Sequence, residues 1–191
     1  MNKKRLKVTL NAPVVIGFVA MCFVATVLNY VSGGVAGRLL FMTYRAPLWS
    51  PLTWLRGVTY IFGHADLAHM VGNMSYLLLL GPMLEEKYGS KLLVLIIAIT
   101  AIITSVIHFV FFPSMALCGA SGVVFAFILL SSFTGFRAGE IPVSFILVSM
   151  FFIGQQIVDG LTVQDNISNL THIIGGILGG IIGYVLNLRK R

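Results

Sequence analysis

Six apolar runs, separated by short polar or charged stretches, leave this chain few folds to choose from. They cover roughly residues 14–31, 65–84, 92–111, 117–133, 141–158 and 167–188. Each approaches the ~20 apolar residues that an α-helix needs to cross a hydrocarbon core. The runs are continuous where a transmembrane β-barrel would alternate, which argues against that architecture. Only 10% of the 191 residues are charged and 58% are hydrophobic, against about 25% charged in a soluble domain. The expected fold is all-α: a polytopic membrane protein with six transmembrane helices, forming a single domain over residues 1–191 with no room for a second.

The net charge of +7 belongs to topology before it belongs to nucleic acid. With six spans both ends lie on the same side. Ten of the thirteen Lys and Arg residues fall on that side: Lys3, Lys4, Arg5 and Lys7, the loop pair Lys87 and Lys91, Arg137, and Arg189, Lys190 and Arg191. Only Arg38, Arg45 and Arg56 fall on the other. Excess Lys and Arg mark the cytoplasm, so both termini are expected there, residues 1–13 as a basic N-terminus and 189–191 as a basic C-terminus. The long segment 32–63 then lies outside. Its Trp49, Trp54, Tyr and Phe residues suit the membrane interface, so it is expected to fold in or on the outer leaflet. The first run is too long, and its neighbours too apolar, for a cleaved signal peptide. Cys22 and Cys118 sit in apolar runs and read as packing residues. The second span is expected to end at Gly81-Pro82, before a charged loop over 85–91. The fourth is expected to start near Leu117. Residues 159–165 are expected to form a small acidic loop.

Within this apolar background a few polar side chains stand out, and such residues default to the protein interior or to water. His69 and Asn73 are four apart, on one helical face. His64 lies near the start of the same span. Ser121 lies a few residues below the start of the fourth span, inside Cys118-Gly119-Ala120-Ser121-Gly122, and His172 lies a similar distance below the outer end of the sixth. The orientation above puts all five in the outer half of the bilayer. A serine hydroxyl is a weak nucleophile until a base takes its proton, and a neutral imidazole can do so and return the proton to a leaving amine. His69, the Asn73 amide and the N–H groups of Ser121 and Ala120 are candidate donors for the resulting oxyanion. Gly122 and Ala126 on one span, and Gly175, Gly179 and Gly183 on another, form small-residue faces that let helix backbones approach. Other readings compete. His69 and Asn73 could simply tie spans together, and His64, His69 and His172 could form a metal site, although no Asp, Glu or Cys shares their depth. His108 has no partner in the pattern and reads as structural. Gln155 and Gln156 would meet substrate or water. Asp66 suits the first turn of the second span, and Asp159 and Asp165 are not chosen as a third catalytic acid.

Taken in order, these residues resemble the rhomboid family of intramembrane serine proteases, in its minimal six-span bacterial form. The matching positions are Arg56, His64-x4-His69-x3-Asn73, Gly81, Glu85, Gly119-Ala120-Ser121-Gly122, and Asn169-x2-His172-x2-Gly175-x3-Gly179. The resemblance implies a Ser121–His172 dyad without a third acid, no cofactor and no metal. It implies oxyanion donors at His69 and Asn73, and structural roles for His64, Arg56 and Glu85. It also implies that the fifth span and the loop after it gate lateral entry. The expected partners are single-span membrane proteins within a lipid bilayer, cut near the outer end of their transmembrane segments, and not nucleic acid. A bacterial inner membrane is the expected location. Three positions depart from the family pattern: Phe125 where Tyr is frequent, Thr171 before the histidine, and a displaced tryptophan in Trp54-Leu55-Arg56. The rival readings are a non-catalytic relative that binds transmembrane helices, and a small transporter.

Overall fold

A computed structural model of the chain describes residues 8–134, 140–162 and 166–188. The described residues form seven α-helices: α1 (Pro13–Val31), α2 (Pro51–Thr59), α3 (Leu67–Tyr88), α4 (Ser90–Phe111), α5 (Ser121–Ser131), α6 (Val143–Thr162) and α7 (Asn166–Leu188). The fold is all-α, as expected. Among the described residues, the only strand-like pairing is an isolated antiparallel bridge between Thr43 and Leu117. Helices α1, α3, α4 and α7 are long and apolar enough to cross a membrane, while α5 and the Val143–Val158 portion of α6 are shorter apolar helices.

The centre of the bundle is α5. It is apolar all round, as a helix enclosed by others must be, and eight of its eleven residues are buried. Its closest partner is α7. A methyl group added at Gly175 would overlap the carbonyl of Gly122, and one at Gly179 would overlap that of Ala126. Further along, Gly183 faces the ring of Phe133. Two backbones therefore touch without side chains between them.

The fourth span differs from the expectation. Helix α5 starts at Ser121, four residues later than Leu117, and its eleven residues rise only about 16 Å, half of a ~30 Å core. Gly119, with φ 131°, cannot continue a helix, so residues 117–119 enter the bundle as irregular chain. Non-helical backbone at membrane depth must be satisfied by protein or face a cavity. Here Leu117 exchanges both backbone bonds with Thr43, at 2.9 and 2.8 Å, and the Gly119 N–H donates to the Tyr60 carbonyl at 3.0 Å.

The partners of that chain come from the outer segment, much of which is helical. A π-helical turn (Gly37–Phe41), α2 and a 3-10 turn (Tyr60–Phe62) follow one another. Arg56 is buried; its Nη1 donates to the Tyr44 hydroxyl at 2.8 Å and its guanidinium covers the Tyr44 ring at 4.2 Å. Trp54 Nε1 donates to the Leu48 carbonyl, leaving the indole largely exposed, as an interfacial ring should be.

On the opposite side, α3 runs through Pro82 to Tyr88, so neither the stop at Gly81-Pro82 nor the loop over 85–91 forms. A single glycine, Gly89 with φ 80°, makes the turn into α4. This extension makes Glu85 a helical residue, and it is buried. Its carboxylate accepts the N–H groups of Val14 at 3.0 Å and Val15 at 3.1 Å, together with the Ser90 hydroxyl at 2.7 Å. It thus caps α1, whose N-cap residue Ala12 provides no side-chain bond. The turn into α7 differs as well: α6 remains helical to Thr162, so the acidic loop is shorter than expected. Its residues 163–165, like the basic residues at both ends of the chain and Arg137, lie outside the described residues.

Candidate active site

Helix α3 contributes the first two side chains. Asp66 is its N-cap, one position before the first turn, and accepts the His69 N–H at 2.7 Å. His69 and Asn73 then share a face. His64 lies just before the cap; its Nδ1 donates to the Phe62 carbonyl at 3.2 Å and its ring meets that of His69 edge-on at 5.2 Å. It is buried and ties the outer segment to the start of α3.

Ser121 is the first residue of α5. Its N–H belongs to the first turn, whose donors have no intrahelical acceptor, and no side chain caps that end. The local sequence requires glycine. Beyond its positive φ, Gly119 lies so close to the His69 ring that a Cβ there would stand 2.9 Å from Cε1, 3.2 Å from Nε2 and 3.9 Å from the Ser121 hydroxyl oxygen. The nucleophile candidate and His69 are thus packed around one missing side chain.

His172 comes from α7. Its ring stacks on Phe125 with centroids 4.3 Å apart and planes within 2°, and Phe152 from α6 meets Phe125 edge-on at 6.0 Å. Phe125 therefore provides the stacking surface without the hydroxyl of a tyrosine. The ring is held at a second point: Nδ1 lies 2.6 Å from Oε1 of Gln156 on α6. Gln156 is itself buried, and the bond it makes here is to His172. A polar residue inside an apolar run was the available signal, but the sequence did not say which partner it would meet.

These side chains open onto one cavity of about 350 Å³, whose lining includes His69, Asn73, Ser121, Phe125, Gln156 and His172. Gln155 lines it as well. Asn73 is buried and its Nδ2 has no hydrogen-bond partner among the described residues, an expense for a buried amide that leaves a donor available at the cavity. The remaining expected residues sit around it. Gly122, Gly175 and Gly179 form the α5–α7 contact, Ala120 is fully buried before α5, and Asn169 is buried one turn before His172. Arg56 and Glu85 are elsewhere, in the structural bonds described above. His108 does not line the cavity; it is buried and stacked on Phe112. An apolar groove of about 510 Å³ lies among α5, α6 and α7, bordered by Leu129, Phe145, Ser149, Gly176 and Gly180.

A hydroxyl, an imidazole held at two points and a free amide donor around one cavity form a set suited to acyl transfer. The profile of the Rhomboid domain matches residues 51–189. The chain belongs to the rhomboid family. Among curated proteins it is similar to RHOMBOID-like protein 12, mitochondrial, of Arabidopsis thaliana, at 29% identity over 65% of this chain and 44% of that protein. It is also similar to Rhomboid-related protein 1 of Caenorhabditis elegans, at 29% identity over 69% of this chain and 39% of that protein. The chain thus spans less than half the length of these relatives.

Proposed function

We propose that this rhomboid protein is an intramembrane serine endopeptidase that cuts transmembrane segments near their outer end. The observation that carries the reading is the single cavity lined by Ser121, His172, His69 and Asn73. In the proposed reaction the Ser121 hydroxyl attacks the scissile carbonyl while His172 takes its proton. The oxyanion is met by the Asn73 amide, His69 and the N–H of Ser121, donors of the kind whose loss costs about 2.7–4 kcal/mol each. His172 then protonates the leaving amine, and water releases the acyl group from Ser121. A transmembrane helix must unwind to present its backbone, so the favoured substrates are single-span proteins whose helices unwind easily, with a small residue at the cut. Both termini are assigned to the cytoplasm by the bias of basic residues, and a bacterial inner membrane is the proposed location.

The test is cleavage of a single-span substrate by purified protein in liposomes. Ser121→Ala and His172→Ala should each abolish cleavage while melting like the unmodified protein. A fluorophosphonate should label Ser121 in the native protein and fail in His172→Ala. Full cleavage by either variant would overturn the dyad, and no cleavage by the native protein on any unwinding-prone substrate would favour the non-catalytic, helix-binding reading.

A further inference from the structure

We infer that Gln156 is a positioning residue that sets the tautomer of His172, so that the base is completed by a side chain from α6. The inference deepens the protease reading and rests on it for its catalytic meaning.

The chain of reasoning starts from one short bond. A carboxamide oxygen can only accept, so the ring nitrogen it meets at 2.6 Å carries the hydrogen. A neutral imidazole has a single N–H. With that hydrogen on Nδ1, Nε2 keeps its lone pair and is the nitrogen able to accept the Ser121 proton. The opposite tautomer would offer Nε2–H to the serine and could not act as base. Fixing the tautomer is what a buried carboxylate does in a Ser-His-Asp triad. The carboxamide does it without a net charge, which matters where burying a charge is costly.

Among the described residues lining the cavity there is no carboxylate; the titratable side chains there besides His172 are His69 and Tyr76. Phe125 holds the ring plane by stacking but offers no acceptor to either nitrogen. Gln156 is more than nine-tenths buried, so bulk water does not compete freely for its oxygen. Gln156 comes from α6, outside the close-packed α5–α7 pair, so the bond ties the base to a third helix.

Two measurements test this. In the first, kinetics in liposomes compare native protein with Gln156→Leu and Gln156→Glu. Leu keeps the bulk and removes the acceptor; kcat should fall on the order of tenfold or more with KM little changed and with the melting temperature retained. Glu restores an acceptor and adds a charge that favours the imidazolium. It should recover kcat relative to Leu, and it should move the rise of kcat with pH to higher pH, since His172 must lose its proton to serve as base. In the second, 15N spectra of histidine-labelled protein in micelles, with His172 assigned by its loss in His172→Ala, should show the proton on Nδ1 in native protein and a mixture of tautomers in Gln156→Leu. Native kcat and an unmoved pH profile in both variants would overturn the inference, as would a native His172 protonated on Nε2. The spectra need no cleavage. A protein that cleaves nothing yet shows Nδ1–H therefore loses the protease reading and keeps the tautomer assignment.

Discussion

Gly119 carries more constraint than any other single residue near the site. Its φ of 131° is closed to most side chains, and its Cα hydrogen occupies the space where a methyl would press on the His69 ring. Gly119→Ala should therefore lose about 1–3 kcal/mol of stability and most cleavage activity, measured by thermal melts and substrate turnover. The fluorophosphonate reaction should slow with it, because the same chain sets the start of α5 and hence Ser121. In the sequence, Gly119 was legible only as a small neighbour of a serine; its backbone angle depends on Thr43 and Tyr60, which lie far away along the chain. Phe125 was easier to read. It stands where the rhomboid resemblance puts a tyrosine, and the parallel stack on His172 shows an aromatic ring serving there. Gln156 was half legible: a polar residue in an apolar run demands a partner, but the identity of the partner depends on how α6 is rotated against α7.

At the scale of helices, two contacts make quantitative claims. Glu85 joins the end of α3 to the start of α1. Glu85→Ala would strand the buried N–H groups of Val14 and Val15 and should cost about 1–3 kcal/mol. Circular-dichroism melts in micelles should show that loss, and Glu85→Gln, which keeps one acceptor oxygen, should lose less. The α5–α7 contact is less forgiving. Gly175→Val must push α7 off the Gly122 carbonyl, an overpacking worth about 1–3 kcal/mol, and should abolish labelling of Ser121. Gly154→Ala is the control, since nothing lies within 4 Å of a Cβ at that glycine; it should melt and react like the native protein. Small-residue faces on these two spans were visible as glycine spacing. The true length of α5 was not. Hydropathy continues from Leu117 to Phe133 without a break, and only the left-handed glycine and the bonds from the outer segment show where helix begins.

For the molecule as a whole, composition and the run lengths settled the class, and the polar residues within the runs marked the cavity. Hydropathy measures how apolar a stretch is, so it could not show that α3 passes through Pro82 or that residues 32–63 are built from short helices tied by Arg56 and Trp54. The closing geometry has a mechanical meaning. Where Gly122 meets Gly175, no side chain can bend or change rotamer to absorb a displacement, and the α5–α7 pair acts as a rigid strut. Gln156 instead reaches His172 on a flexible side chain from α6. The site is stiff along one axis and compliant along another. The spacing of α5 and α7 is fixed by backbone alone, while the orientation of the imidazole depends also on one side chain from α6.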